Sequence, residues 1–244
     1  MNAPRLFAGR IEAVQKNEGG LPGVDAVHDM RVALRRLRAA LRLLRLRELD
    51  PPVKELQDAL GGVRDLQVQV EWLSGRSQTL LRRRKAALVK AGRALEPALA
   101  KWRDATLPAL LEAARSATAP GPARRRKILR KRLDRFEKRL DAALARQTPQ
   151  VMHRMRISVK QVRYLFELMK GAASKLLVAE LPPLQESLGQ LHDVDVRLEL
   201  LRDPALLREE KEARAQLAAI VKKQLERWKD RDLVARARKK LGTP

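Results

Sequence analysis

Apolar residues recur at spacings of three and four along nearly every segment of the chain, and runs of β-branched residues are missing. That pattern predicts amphipathic helices and an all-α fold. Proline and glycine interrupt it at Gly19-Gly20 with Pro22-Gly23, at Pro51-Pro52, at Pro120-Gly121-Pro122, at Pro149, at Pro182-Pro183 and at Pro204. Between these breaks about eight helices are expected, near residues 3–18, 24–48, 51–73, 76–116, 123–147, 149–171, 173–201 and 204–240. Pro97 and Pro108 fall inside the fourth segment and Pro182-Pro183 inside the seventh. A proline in a helix interior removes one hydrogen bond and clashes with the preceding turn, so kinks or breaks that raise the helix count are expected there.

The chain also resembles itself. Residues 27–44, VHDMRVALRRLRAALRLL, align with residues 152–169, MHRMRISVKQVRYLFELM, placing His28 opposite His153 at an offset of 125. Residues 56–73, LQDALGGVRDLQVQVEWL, align with residues 184–201, LQESLGQLHDVDVRLELL, at an offset of 128. Two ordered matches at near-constant spacing point to a duplication. The expected organisation is therefore two four-helix repeats, 1–121 and 122–244, packed about a pseudo-twofold axis and joined at Pro120-Gly121-Pro122.

Composition adds a polyanionic partner to this picture. The 244 residues hold 53 Lys and Arg against 29 Asp and Glu, a formal net charge of +24. The excess is not a tail, because it is +9 over residues 1–121 and +15 over residues 122–244. Nucleic acid, polyphosphate and acidic membrane surfaces all suit such a chain. The absence of cysteine excludes disulfides and thiolate chemistry and fits a reducing compartment, so a cytoplasmic location is expected. The N-terminal residues lack an uninterrupted apolar core of the secretory kind, and no stretch approaches the roughly 20 apolar residues of a membrane span.

The charge is ordered on two of the predicted helices. At about 100° per residue, His28, Arg31, Arg35, Arg38 and Arg42 share one stripe. Beside it runs an apolar stripe of Met30, Leu34, Leu37, Leu41 and Leu44. The repeat carries His153, Arg156, Lys160 and Arg163 next to Met155, Val159, Val162, Phe166 and Met169, with Glu167 breaking the row opposite Arg42. Arginine offers a fork of donors matched to phosphate oxygens, lysine a point charge and histidine a further donor. From residue 28 to 42 the row spans roughly 21 Å at 1.5 Å per residue, which suits a chain of phosphates better than a small metabolite.

The duplicated His-x-x-Arg-x-x-x-(Arg/Lys)-x-x-Arg helix, each copy followed by Leu-Gly-x-x-x-Asp-x-x-Val, resembles the CHAD family, the conserved histidine α-helical domain. The resemblance extends over almost the whole chain. It implies a pair of four-helix bundles around a basic central pore or groove that binds inorganic polyphosphate, often on polyphosphate granules. Carried onto this sequence, it assigns binding to His28, Arg31, Arg35 and Arg38 and to His153, Arg156, Lys160 and Arg163. Some relatives are fused to a triphosphate-hydrolysing domain whose Glu-x-Glu-x-Lys motif is absent here, so a standalone, noncatalytic chain is expected.

A second rank of binding candidates comprises Arg42, Arg64, His192, which aligns with Arg64, and Arg125, Arg132 and Arg139 on the fifth predicted helix. For the last three a solvated face is the plainer reading. Asp65 and Asp193 suit either pairing with row arginines or ordinary surface ion pairs. Gly61 and Gly189 inside predicted helices are expected to serve close packing or a kink. No cofactor or metal site is expected: His28-Asp29 and His192-Asp193 are adjacent pairs whose side chains diverge by about 100°, and neighbouring arginines repel cations. No glycine-rich phosphate loop, nucleophile elbow or carboxylate pair suggests an enzyme. The rival reading is nonspecific nucleic-acid binding, which the charge permits. Aromatic residues at 3% offer few stacking platforms for bases, and the rows border apolar stripes rather than crown a lone recognition helix. A membrane-surface scaffold is a third reading, weakened because the leucine faces are needed inside the bundle. Oligomeric state and preferred polymer length leave no mark in the sequence.

Overall fold

The computed structural model describes residues 2–169 and 171–242, and every described element is helical. The chain divides into two compact units, Met1–Pro120 and Gly121–Pro244.

The first unit contains α1 (Ala3–Gln15), α2 (Val24–Leu44), α3 (Asp50–Leu73), α4 (Gln78–Lys101) and α5 (Leu107–Ser116). Asn2 caps α1 by accepting the Arg5 amide at 3.0 Å, satisfying one of the donors that a helix start leaves open. α2 stops four residues before the sequence pattern predicts, because Arg45 adopts a left-handed conformation with φ 70°. α3 then begins with Pro51-Pro52 in its first turn, where the missing amide costs nothing. α2 packs on α1 and α3, α3 on α4, and α1 on α5. Val27, Met30, Leu34, Leu37 and Leu41 of α2 are fully buried, so the predicted apolar stripe is the core face of that helix.

The predicted fourth helix, 76–116, is two helices. A π turn, Trp102–Thr106, separates α4 from α5. Pro108 enters directly after it in the first turn of α5, and the wider turn removes the clash a proline makes in regular helix. Thr106 Oγ1 donates to the Lys101 carbonyl at 3.3 Å across the turn. Pro97 lies within α4, which continues through it.

The second unit contains α6 (Pro122–Ala145), α7 (Pro149–Glu167), α8 (Ala172–Leu200), α9 (Pro204–Asp230) and α10 (Leu233–Gly242). Three of these helices start with proline, and Thr148 and Asp203 cap α7 and α9 with their side chains. α8 runs through Pro182-Pro183 without the break expected there, and Ser187 Oγ donates to the Pro183 carbonyl at 3.1 Å one turn on. The last predicted helix divides at Asp232, whose φ of 47° ends α9 and lets α10 begin in a new direction. α8 packs on α7, α9 and α10, and α6 on α7 and α10. Phe136 and Trp228 meet in the core at a centroid separation of 5.1 Å.

Two inward carboxylates tie α8 to α9. Arg214 Nε donates to buried Asp195 at 2.6 Å, and Arg197 Nε donates to buried Glu210 at 2.7 Å. Removing one partner of such a pair leaves an uncompensated charge inside. Arg214→Met is expected to lower the unfolding free energy by about 3 kcal/mol, read from the denaturant midpoint; a change within the scatter of ordinary surface variants would show that the pair is solvated.

Candidate polyanion site

In the first unit the basic row lies on α2 and faces α3. Contacts between residues 31 and 65, 38 and 57, and 42 and 50 descend one helix as they climb the other, so α2 and α3 run antiparallel. The Arg38 fork grips Asp50, with Nε 2.7 Å from Oδ1 and Nη2 3.1 Å from Oδ2, and its Nη1 donates to Gln57 at 3.3 Å. Arg42 donates to the same carboxylate at 3.1 Å. Burial alone would raise the Asp50 pKa, but the Arg38 hydrogen bond and the charges of Arg42 and Arg38 outweigh it and hold the carboxyl below its ordinary value. Arg38 and Arg42 are thus committed to Asp50, and this end of the row is a clamp between helices rather than an open anion seat.

The histidine end is built differently. Arg31 reaches solvent-exposed Asp65 at 3.4 Å, an ion pair with a long hydrogen bond. Its guanidinium rests against Gly61, where a Cβ would stand 3.6 Å from Nη2, an ordinary contact distance. Arg35 is half-buried and has no hydrogen bond or ion pair among the described residues. Arg64 joins the row from α3, with Nη1 buried and lacking a hydrogen-bond partner among the described residues. His28 reaches solvent, yet burial of its ring is the first cause lowering its pKa, followed by the charge of Arg64 and, more weakly, of Arg35 and Arg31.

The second unit repeats this division of labour with different partners. Arg163 Nε donates to Glu167 Oε1 at 2.9 Å, so the carboxylate that breaks the row neutralises its last arginine. At the histidine end His153 and His192 lie with ring centroids 4.8 Å apart at 49°, which brings α7 and α8 together over an imidazole pair. Burial, then Arg156, His153 and Lys160 push the His192 pKa down to about 4. Burial, Arg156 and Lys160 likewise lower His153. His192 is half-buried rather than a free surface side chain. At neutral pH both imidazoles are uncharged, and the fixed charge of this site comes from Arg156 and Lys160.

The remaining candidates divide. Arg132 of α6 donates to Gln161 of α7 and so lies at the edge of that helix pair, Arg125 is half-buried, and Arg139 is exposed. A Cβ at Gly189 would meet nothing within 4 Å, so close packing does not explain that glycine, which faces open space. No group of three His, Cys, Asp or Glu residues suited to a metal occurs among the described residues. What sequence reasoning missed is the pairing that fixes the row. Asp50 opens α3 immediately after a short turn, and folding that turn into an antiparallel register would have placed it opposite Arg38 and Arg42.

A family model described as the CHAD domain matches residues 5–202. The chain belongs to the CHAD domain family. It is similar in structure to the CHAD domain from the plant Ricinus communis, with a TM-score of 0.63 and 24% identity over 100% of this chain and 91% of that one. It is also similar to PptA from Streptomyces chartreusis, with a TM-score of 0.60 and 16% identity over 97% of each chain. At these identities the likenesses establish a shared fold. A search of the curated proteins matches none to this chain. CHAD domains as a family are associated with polyphosphate binding and are generally binding rather than catalytic modules.

The imidazole pair makes a stability prediction. In the unfolded chain His192 protonates near pH 6.5, whereas in the fold it stays neutral down to about pH 4. Unfolded protein therefore binds more protons over that window, so stability present above pH 6.5 is lost as pH falls toward 4. Between pH 6.5 and 5 the ligand-free protein is expected to lose about 1 kcal/mol through this residue, allowing for solvent screening. His192→Gln should remove that part of the slope in thermal melts; identical slopes for the two proteins would contradict it.

Proposed function

We propose that this protein binds inorganic polyphosphate through the histidine ends of the two rows and that binding, not catalysis, is its activity. The single observation that carries the reading is the same arrangement on α2/α3 and α7/α8. Each pair presents arginine, lysine or histidine donors, His28, Arg31, Arg35 and Arg64 on one and His153, Arg156, Lys160 and His192 on the other. Each has the far end of its row neutralised by a carboxylate, Arg38 and Arg42 by Asp50 of α3 and Arg163 by Glu167 of its own helix. We take the two units to be the two repeats of one duplicated domain, with the row in each contributing to a basic pore or groove.

Family membership supports this choice of polymer. So does the chemistry: forked and point-charge donors in a line need a repeating oxyanion and read no base. Arg38 and Arg42 act in this reading by fixing α2 to α3 through Asp50, while Arg163 is neutralised by Glu167 of its own helix. The direct contacts fall to Arg31, Arg35 and Arg64 in the first unit and to Arg156 and Lys160 in the second, with the histidines as donors that gain charge when a polyanion arrives. Attachment to polyphosphate granules follows as the cellular role, with a cytoplasmic location.

Arg35→Glu combined with Lys160→Glu is expected to weaken polyphosphate binding about 100-fold or more, since each lost charge-assisted contact is worth about 1.5 kcal/mol or more. The circular-dichroism melt should move little, because neither residue belongs to the apolar core. Calorimetry on both proteins reads the affinity, and an unchanged value refutes the assignment. In a competition at physiological salt, long-chain polyphosphate should displace duplex DNA at equal phosphate concentration. Preference for DNA would replace this reading with nonspecific nucleic-acid binding.

A further inference from the structure

α6 carries a second basic row, on the side turned away from its own core. Leu129, Leu133, Phe136, Leu140 and Ala143 bury one face of the helix. At about 100° per residue Arg124, Lys127, Lys131, Arg135 and Lys138 cluster on the opposite face, and all five are exposed. They do not include Arg132, which donates to Gln161 of α7. From Arg124 to Lys138 the row is about 21 Å long.

The carboxylates that would ordinarily neutralise such a helix are drawn elsewhere. α6 has three, Asp134, Glu137 and Asp141. Arg238 of α10 takes Asp134 and Glu137, each at 2.7 Å, and Lys229 of α9 takes Asp141 at 2.5 Å. None of the five outer cations has a hydrogen bond or ion pair among the described residues. Five like charges along one line repel each other, and a surface that needed only solubility would intersperse them with acids.

We infer that the outer face of α6 is a second polyanion-binding surface, one that takes a further strand of inorganic polyphosphate and lets a single molecule bridge two chains. The inference rests on the proposed function for its choice of polymer. Shape favours a flexible inorganic chain over duplex nucleic acid here. A straight row on a convex helix meets the convex duplex only where it crosses a strand, whereas a flexible polymer lies along its full length. The face also holds no aromatic or amide side chain with which to stack or read a base. Lysines at three of the five positions suit loose, multivalent contact more than a rigid fork. Two such surfaces on one protein turn binding into cross-linking, since each bridged strand raises the local concentration for the next.

The test compares the full-length protein with Lys127→Gln/Lys131→Gln/Lys138→Gln, in which exposed charges are removed without touching the core or the rows of α2 and α7. On mixing with long-chain polyphosphate at physiological salt, light scattering from cross-linked complexes should fall about tenfold in the variant. Affinity for a short oligophosphate, which fills one row, should stay within about twofold. Unchanged scattering overturns the inference, and so does a loss of duplex DNA binding larger than the loss of polyphosphate binding, which would make the face a nucleic-acid surface. The Arg35→Glu/Lys160→Glu protein separates the two readings. Its residual long-chain binding should disappear when the three glutamines are added, even if short oligophosphate proves not to bind the wild type and the proposed function fails. No such loss overturns the α6 surface alone.

Discussion

The burial of one apolar stripe on α2, and of its counterpart on α7, fixes the position of the cations that border it on those two helices. Met30, Leu34, Leu37 and Leu41 are fully enclosed, as are Met155, Val159, Val162 and Phe166. With those side chains locked, a helix cannot roll, and the cations that border the stripe are held at set heights and angles without a framework of their own. Core packing supplies the preorganisation that a flexible basic surface would lack.

Holding so many like charges still has a cost, and the carboxylates show how it is met. Asp50 and Glu167 neutralise one end of each row, and Asp195 and Glu210 receive arginines under α9. The acids of α6 are matched by α9 and α10. Asp50, Asp195, Glu210 and the acids of α6 thus serve as counter-charges that join two helices, while Glu167 pairs within α7. Exposed positive charge with no ion pair among the described residues collects on the outer face of α6. In a chain with a net charge of +24, where the acids sit determines where an anion can land.

Much of this was legible in the sequence because it obeys the helix period. The all-helical class and the stripes on α2 and α7 follow from residues repeating every three or four positions, and the family from the resemblance of the duplicated motif. What the sequence concealed depends on register between helices. Arg38 looks like a ligand by spacing alone, and only the antiparallel fit of α3 shows Asp50 and Gln57 occupying it. His192 aligns with Arg64 in the sequence as a second-rank binding candidate, and only the packing of α8 on α7 sets it 4.8 Å from His153. Proline proved an uneven guide, since Pro97 and Pro182-Pro183 lie inside continuous helices while Pro108 follows a π turn. The outcome depends on whether neighbouring turns absorb the lost hydrogen bond, which the residue itself does not encode.

That π turn also explains an oddity in the buried positions. Trp102, Thr106, Leu110 and Ala114 are all buried, each four residues after the last. In a regular helix every step of four advances about 40°, so three steps would carry the final side chain some 120° away from the first and out of the core. The wide turn takes up part of that advance at its beginning. It acts as a phase corrector, allowing a stretch of chain with the wrong period for an α-helix to keep facing one side.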